Sequence, residues 1–458
     1  MFRKCKHGDP LKVVNIAPHI GGGVGVVLAD YVRGSSKLGI QNSLFCLDWC
    51  IQSDTDMSSR IDIVEGAFWE ARGLLLASLS ECDVVFVHYW NHPLLTVFLA
   101  EVDLRNYKVV FWCHISGLIE PHIIPNYLLK IADKVLLTSR ISLKAPNFAP
   151  QDIGSNNIYS VVRSVRDLDA FFQVGSRRVI SKTPTSLLYV GTVSKTKMHR
   201  DSARMFAELS KQGYVIRVVG GPDHMELAGD VARLGGKIEV FGLIKDVTEF
   251  YETSDIFIYP LRKDHYGTGE QVLIEALASG LPVVAFSNPS ETEILSQFIE
   301  MKLVDRSDEF MGYVHHLTES ADLLFQISKK TFQRAQTLFR SGKMAEHLVD
   351  VLEAVNNSKL RSKNLPNSEE LALGLMGLYA RASFFDEGLY KNAQTSSRIK
   401  VKEIISTIER QADIEGDFTK WQSESKSSPN HYLRYFPEDK LMRLLKNKID
   451  GIALEPRL

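Results

Sequence analysis

The sequence alternates strand-length apolar runs with helix-length segments, and this alternation constrains the fold more than any other feature. The runs are rich in Val, Ile, Leu and Phe. Such runs are typical of parallel strands that helices cover on both faces of the sheet. A first series lies at residues 12–17, 83–87, 108–113 and 134–137, and a second begins at residue 186. The pattern therefore predicts an α/β protein with two doubly wound domains.

The break between the two series, near residues 167–185, sets the predicted domain boundaries. We expect an N-terminal Rossmann-like domain over residues 1–175 and a second Rossmann-like domain over residues 176–340. A closing helix and linker at residues 341–357 then lead into a helical extension over residues 358–458. A chain of 458 residues is too long for one ordinary core, which agrees with this division.

The helical extension contains two stripes of apolar residues at helical spacing. The stripes are Val401, Ile404, Ile405 and Ile408, and then Leu441, Leu444, Leu445 and Ile449. The second is accompanied by Lys440, Arg443, Lys446 and Lys448. A basic amphipathic helix of this kind contacts a membrane surface or a protein partner, or it packs its stripe onto the protein's own body. Both interpretations stay open from the sequence alone.

The composition excludes several classes of protein. With 54 Lys and Arg against 55 Asp and Glu, the chain has no general attraction to nucleic acid or anionic lipid. The five cysteines have no paired zinc spacing, which favours free thiols in a reducing compartment. Residues 1–12 are polar and basic, and no apolar run approaches the ~20 residues of a membrane span. We therefore expect a cytoplasmic protein, with peripheral contact at the inner membrane face as the alternative.

Glycines follow two of the predicted strands, where open α/β sheets bind their ligands. Gly21, Gly22 and Gly23 stand between the first strand and a helix. Glycine lets the backbone approach a ligand, and free N–H groups at a helix start attract an anion. A plain tight turn is the alternative. Gly191 and Thr192 end a strand of the second series.

Two lysines, Lys195 and Lys197, follow Gly191 in a short loop. Cationic side chains at the carboxyl end of a strand suit a bound diphosphate. The alternative is that both are solvated surface lysines, which is the common state of this residue type.

The most informative segment is residues 265–285, in which a glycine loop opens a helix. The loop is Gly267, Thr268 and Gly269, and Glu270 and Glu275 follow in the first turns of the helix. Backbone N–H groups of such a loop bind phosphate, and a carboxylate about one turn into the helix can bind a ribose diol. Alternatively, Glu270 only complements the helix dipole and Glu275 is an ordinary helix residue. The apolar neighbours of Glu275 favour a ligand role, because a buried carboxylate needs a partner.

Residues 275–285, preceded by this loop, resemble the donor-binding signature of retaining family 4 glycosyltransferases of the GT-B fold. Further matches follow in the family's order over roughly residues 13–355. They are the glycine loop at 21–25, strand-end His88 and His114, Ser139, the strand and loop at 190–197, and the strand at 240–242. The resemblance implies two Rossmann-like domains that face each other across a cleft. It also implies a cytoplasmic hexosyltransferase of polysaccharide biosynthesis that uses a nucleotide sugar.

Two positions depart from the family pattern. The family's first glutamate of E-x7-E falls on Gly267, and its phosphate-binding arginine falls on Thr192. Candidate replacements for the glutamate are Glu270, Asp264 and His265. Candidate replacements for the arginine are Arg262, Lys263 and Lys195.

The resemblance implies sugar transfer with retention of configuration, without a metal or other cofactor beyond the nucleotide-sugar co-substrate. Lys197 and N–H groups at the helix start would balance the charge of the leaving diphosphate. Glu270 would contact the donor sugar, and His114 would line the site of a glycan, lipid-linked or protein acceptor. The alternatives are a nucleotide-sugar epimerase, hydrolase or phosphorylase of the same fold, or a non-catalytic glycosyltransferase-like subunit.

Overall fold

The computed structural model describes residues 10–48, 62–65, 68–119, 122–125, 128–145, 158–183, 185–363, 405–406, 419–422 and 428–454. The chain divides into two compact units. The first unit comprises Met1–Arg163 together with Ala345–Leu458, and the second comprises Ser164–Met344. This division differs from the sequence-based boundary at residue 175, because Phe171 and Val174 are buried in the core of the second unit.

The first unit contains a seven-stranded sheet in which every neighbouring pair is parallel. Its strands are β1 (Leu11–Ala17), β2 (Ile40–Cys46), β3 (Asp62–Glu65), β4 (Val84–Tyr89), β5 (Val109–Cys113), β6 (Lys134–Leu137) and β7 (Tyr159–Val161). The spatial order is β3-β2-β1-β4-β5-β6-β7. All residues of β4 and β5 are buried, as expected for continuous apolar runs between helical layers.

Helices connect these strands. They are α1 (Gly22–Lys37), α2 (Phe68–Glu81), α3 (Pro93–Glu101), α4 (Leu128–Ile131) and a 3-10 helix at Arg140–Lys144. Helix α3 begins with Pro93, and the Nδ1 atom of His92 accepts a hydrogen bond from the N–H of Leu94. Proline at the first helical position and a side-chain acceptor before it both favour a helix start. This start fixes the His92 ring at the carboxyl end of β4.

The second unit contains a five-stranded parallel sheet in the order β10-β9-β8-β11-β12. Its strands are β8 (Ser186–Val190), β9 (Val215–Val219), β10 (Glu239–Val240), β11 (Ile256–Tyr259) and β12 (Val283–Ala285). Its helices are α5 (Asp169–Ser176), α6 (Ser202–Lys211), α7 (His224–Arg233), α8 (Thr248–Glu252), α9 (Gln271–Ala278), α10 (Pro289–Leu295), α11 (Ser307–Thr318) and α12 (Ala321–Leu338). Helix α13 (Lys343–Asn357) then leads into the C-terminal part of the first unit.

The described C-terminal part of the first unit is helical. It contains α14 (Thr419–Gln422), α15 (Pro429–Tyr435) and α16 (Lys440–Leu454), and α15 packs against α3. In the second predicted stripe, Leu445 and Ile449 are buried while Leu444 is exposed, so the stripe packs partly onto the protein's own body. Of the first stripe, the structure describes Ile405, which is helical, while Val401, Ile404 and Ile408 lie outside the described residues. None of the described helices has the length and apolarity needed to cross a membrane.

Candidate functional site

Four side chains meet in the second unit at the carboxyl ends of β8 and β11 and in the loop before α9. The Nζ atom of Lys197 lies 3.5 Å from Oε2 of Glu270 and 5.6 Å from the ring centre of Tyr259. The Tyr259 hydroxyl donates a hydrogen bond to the same Glu270 oxygen. Nδ1 of His265 lies 3.8 Å from Glu270 Oε1. We call Lys197, Tyr259, His265 and Glu270 the charged cluster.

The conformation of Glu270 explains why residue 267 is glycine. A Cβ atom on Gly267 would lie 1.8 Å from Oε1 of Glu270, so the Glu270 carboxylate fills the space of a side chain at 267. Glu270 precedes α9 with φ +30° and ψ 59°, and its side chain makes no cap hydrogen bond to the helix. A left-handed non-glycine residue costs ~1–3 kcal/mol, and such strain concentrates at functional sites. The side chain therefore turns toward Lys197 and Tyr259 and does not cap the helix.

The ammonium group of Lys197 stays charged in this setting. Burial opposes the charge, but the Glu270 carboxylate and nearby acidic groups hold the pKa of Lys197 above its ordinary value. The Lys197 side chain is 12% exposed and the Glu270 side chain 2%, so the pair is well shielded from solvent. In low dielectric a charged pair interacts strongly with an incoming ligand charge.

His265 is held by a second carboxylate, which the sequence analysis did not identify. Its Nε2 atom lies 3.1 Å from Oε1 of Glu291, and its Nδ1 accepts a hydrogen bond from the N–H of Gly267. Asn288 and Ser290 also donate to the Glu291 carboxylate. Although burial opposes the charged ring, the Glu291 carboxylate raises the pKa of His265. Two carboxylates therefore flank this ring, and the ring fixes the glycine loop.

The loop from Gly191 to Lys197 starts where β8 and β9 approach each other closely. A Cβ atom on Gly220 would lie 1.9 Å from the carbonyl oxygen of Gly191. The carbonyl oxygen of Thr192 accepts a hydrogen bond from the Tyr189 hydroxyl at 2.7 Å. The N–H of Arg262 donates to the carbonyl of Lys197 at 3.0 Å, which ties the loop to the end of β11.

The candidate replacements for the family's arginine have other partners in this structure. The Arg262 guanidinium bonds Asp264, with Nε to Oδ1 at 2.5 Å, and the Lys195 carbonyl oxygen. The ammonium of Lys195 pairs with Glu226 at 2.6 Å on the exposed surface, and Lys263 is exposed. The structure therefore places Lys197, and not these residues, beside Glu270.

Glu275 lies deeper in α9 and has two protein partners. The Nη1 atom of Arg166 lies 3.1 Å from its Oε1, and the Tyr251 hydroxyl donates to its Oε2 at 2.9 Å. The backbone N–H of Arg166 donates to the side chain of Gln271 in the same helix. Arg166 and Tyr251 are thus the partners that this buried carboxylate was expected to need. Its predicted contact to a ribose stays a prediction.

The predicted histidines lie in the first unit, at the ends of β4 and β5. Nδ1 of His88 lies 3.3 Å from Nε2 of His114, and Nε2 of His88 lies 3.3 Å from Oδ1 of Asn15. The Asn15 amide nitrogen donates to Oδ1 of Asn42 and to the carbonyl oxygen of Ser43, so its oxygen must face His88. We call Asn15, Asn42, His88 and His114 the neutral network.

This network fixes the ring proton of each histidine. Burial lowers the pKa of His88 to about 3, so the ring is neutral near pH 7. Because Asn15 accepts, the single proton of His88 lies on Nε2, and Nδ1 is the acceptor. Nε2 of His114 must then carry the proton that it donates to His88.

The glycine loop of the first unit adjoins this region. The N–H of Gly21 donates to Nδ1 of His19 at 3.2 Å, and Gly22 has φ +67°. Gly21, Gly22 and Gly23 are exposed. The structure thus places the predicted donor-binding residues in two groups. Gly21 to Gly23 belong to the first unit, whereas Gly191, Thr192, Lys197, Gly267, Thr268, Gly269, Glu270 and Glu275 belong to the second.

The chain is similar to known proteins both in sequence and in fold. Residues 184–320 match the family model of group 1 glycosyl transferases. A search of curated protein sequences finds no match. The matched residues include the charged cluster.

Several solved structures, two of them described as glycosyltransferases, superpose on the chain. Anabaena Alr3699/HepE in complex with UDP-glucose aligns with a TM-score of 0.61 and 15% identity, over 75% of this chain and 100% of that chain. A glycosyltransferase from Rickettsia africae ESF-5 gives 0.58 and 15%, over 76% and 100%. WaaG, a glycosyltransferase involved in lipopolysaccharide biosynthesis, gives 0.53 and 12%, over 74% and 99%. At this identity the likeness establishes the fold, and the predicted α/β class of the GT-B type is confirmed.

Proposed function

We propose that the protein is a glycosyltransferase that moves a hexose from a nucleotide sugar to an acceptor hydroxyl, in the cytoplasm, with retention of configuration and without a metal. The observation that supports it best is the Glu270 carboxylate in the space at Gly267, 3.5 Å from Lys197. This pair lies within the residues that match group 1 glycosyl transferases, and HepE, of similar fold, binds UDP-glucose.

Lys197 is the cation of the proposed donor site. When the bond between the sugar and the diphosphate breaks, negative charge grows on the leaving phosphate oxygens. A shielded ammonium that is already positioned stabilises that charge in the transition state more effectively than a solvated one. Backbone N–H groups at the start of α9 supply further donors to the phosphates.

Glu270 is the proposed contact to the donor sugar. Its carboxylate accepts hydrogen bonds from sugar hydroxyls, as the family's first glutamate would from position 267. Tyr259 and His265 hold the carboxylate and the loop in place. The Glu275 carboxylate adds a ribose contact if a ribose hydroxyl shares it with Arg166 and Tyr251.

His114 is the proposed acceptor-side residue. Its ring is partly exposed at the end of β5, and the contact of its Nε2 with His88 fixes the orientation of the ring. The acceptor is the hydroxyl of a glycan, a lipid-linked saccharide or a protein, in polysaccharide biosynthesis.

Thermal unfolding in the presence of UDP-, GDP- and ADP-glucose tests this function. A ligand that binds only the native state raises the unfolding temperature by mass action. We expect one nucleotide sugar to stabilise the wild type and to give transfer products with a glycoside acceptor. Binding without turnover would favour a non-catalytic subunit, and free sugar or an epimerised donor without transfer would favour a hydrolase or an epimerase. No stabilisation by any of the three would contradict the donor site.

A further inference from the structure

Helix α15, from the C-terminal part of the chain, brings Tyr435 to the carboxyl ends of β2 and β4. The Tyr435 hydroxyl lies 2.5 Å from Oδ2 of Asp48 and 3.2 Å from Nε2 of His92. Asp48 follows β2, and His92 follows β4. The ring of His431, one turn earlier in α15, lies 4.9 Å from the His92 ring. Tyr435 is 387 positions from Asp48 in the sequence, yet both lie at the edge of the sheet that also carries the glycine loop at residues 21–23.

The hydrogen bonds around Tyr435 have a defined direction. Nδ1 of His92 accepts from the N–H of Leu94, so the ring proton lies on Nε2 and is donated to the Tyr435 oxygen. The Tyr435 hydroxyl then donates to Asp48. Burial and the Asp48 carboxylate raise the pKa of Tyr435, which keeps the phenol protonated. His92, Tyr435 and Asp48 thus form a directed chain that ends on a carboxylate.

This chain adjoins the exposed glycine loop of the first unit. The His19 ring lies 5.8 Å from the His92 ring, and its Nδ1 accepts from the N–H of Gly21. Tyr435 and Asp48 are each partly exposed. Ligands of open α/β sheets bind at this end of the strands. The edge therefore presents a carboxylate, a phenol and exposed backbone to a ligand.

We propose that the C-terminal segment completes the acceptor-binding subsite, in which Asp48 and Tyr435 bind hydroxyl groups of a neutral carbohydrate acceptor. This rests on the proposed glycosyltransferase function and deepens it. Carboxylate oxygens accept hydrogen bonds from sugar hydroxyls, and the phenol oxygen and ring give directional polar and apolar contacts. The negative charge of Asp48 disfavours a phosphate or carboxylate group at this position, which selects an uncharged saccharide. Tyr435 is thus a specificity-determining residue.

The variant Tyr435→Phe tests this subsite, with Tyr432→Phe as the matched control. Tyr432 is buried in the same helix, and its hydroxyl contacts Asp439 at 3.5 Å. The assay uses the nucleotide glucose that stabilises the wild type, with octyl glycosides of glucose, galactose, mannose and N-acetylglucosamine as acceptors. We expect Tyr435→Phe to raise the acceptor KM about three- to tenfold, the effect of one hydrogen bond between uncharged groups. Donor KM, acceptor-independent donor hydrolysis and affinity for the nucleoside diphosphate should stay at wild-type values, and Tyr432→Phe should leave the acceptor KM unchanged.

The second variant, Asp48→Asn, should raise the same acceptor KM with the donor parameters unchanged. An unchanged acceptor KM in both folded variants would overturn the subsite. So would a wild type that neither glycosylates nor binds any of the neutral glycosides while it binds the donor. A lower unfolding temperature with an unchanged acceptor KM would assign Tyr435 a structural role only. Absence of nucleotide-sugar binding by the wild type would instead contradict the proposed function, and so the two failures are distinguishable.

Discussion

The charged cluster of the second unit and the neutral network of the first lie at equivalent ends of two similar sheets, yet their electrostatics differ. Lys197 and Glu270 form a shielded ion pair. In the neutral network, burial holds the pKa of His88 far below its ordinary value, and the ring contacts the Asn15 amide oxygen and the His114 ring. The same architecture thus carries a shielded ion pair in one unit and a neutral buried histidine in the other, which agrees with the diphosphate and hydroxyl ligands proposed above.

The difference originates in the residues just after the strands. In the second unit, the β8 loop supplies Lys197 and the strained start of α9 supplies Glu270. In the first unit, the equivalent strand ends supply two histidines, backed by the Asn15 and Asn42 side chains. Buried ions persist when they are paired, and a buried histidine without a carboxylate partner stays neutral. We therefore predict that a substitution that removes a charge lowers activity most when it lies in the second unit.

Lys197→Ala should have the largest effect. Loss of the shielded ammonium removes a charge-assisted contact to the diphosphate, worth ~1.5–3 kcal/mol, so kcat/KM should fall roughly tenfold to a hundredfold. The matched control is Lys195→Ala. Lys195 lies in the same loop as Lys197, but its ammonium forms an exposed ion pair with Glu226. Exposed pairs contribute little, so this control should stay within about twofold of wild type. Equal effects of the two variants would remove the basis for the charged cluster.

Gly267→Ala should lower turnover about tenfold, comparable to loss of one charged hydrogen bond. The new Cβ would lie 1.8 Å from Oε1 of Glu270 and must displace its carboxylate. Gly229→Ala is the control, because a Cβ on Gly229 in α7 meets no atom within 4 Å. Turnover is measured with the stabilising nucleotide sugar. Wild-type turnover of a folded Gly267→Ala variant would mean that the position of the Glu270 carboxylate does not matter.

His88→Asn should change how stability depends on pH. The folded pKa of His88 is about 3, below the unfolded value near 6.5, so the unfolded chain binds the extra proton between these values. The neutral ring therefore contributes stability that is present above pH ~6.5 and is lost as pH falls, by up to ~1.4 kcal/mol per pH unit. Denaturant unfolding of wild type and variant at pH 7.5 and 5.5 measures this. The variant should lose less stability than the wild type on acidification, and equal losses would show that His88 is not held neutral.

Chelation should have the smallest effect. Since Lys197 is the proposed cation opposite the diphosphate, transferase activity should survive dialysis against EDTA within about twofold, the scatter expected when no catalytic group is removed. An enzyme that EDTA inactivates and that Mn²⁺ or Mg²⁺ restores would show that a metal binds the phosphates. The Lys197→Ala variant, assayed with and without Mg²⁺, serves as the reference for a site that lacks the ammonium.

The sequence was sufficient for the features that depend on local pattern. Continuous apolar runs predicted the parallel strands, including β8, β9 and β11, and the glycine loop at 267–269 predicted the start of α9. The sequence-based interpretation also left Glu270 open between a helix-dipole partner and a sugar ligand. The left-handed backbone conformation of Glu270, which the sequence pattern does not predict, directs its side chain away from the helix.

The remaining features depend on contacts between residues far apart in the chain. Arg166 contacts Glu275 across 109 positions, and Tyr435 contacts Asp48 across 387. Periodicity reports which face of an element is apolar and says nothing about which distant polar group it meets. Glu291 lies in the first turn of α10, after Asn288 and Pro289. In the sequence, an acidic residue at this position indicates only the start of a helix. Its contact to His265 became visible only in three dimensions.

Calorimetric titration of Glu270→Gln tests most directly whether Glu270 binds the donor sugar from the space at Gly267. The donor sugar nucleotide and its nucleoside diphosphate are titrated into wild type and variant, with UDP-glucose and UDP as the first pair. The matched control is Glu226→Gln, the carboxylate of the exposed pair. We predict an unchanged affinity for the nucleoside diphosphate and a roughly tenfold loss of affinity for the sugar nucleotide in Glu270→Gln alone. Equal affinities of wild type and Glu270→Gln for the sugar nucleotide would show that Glu270 does not bind the donor sugar.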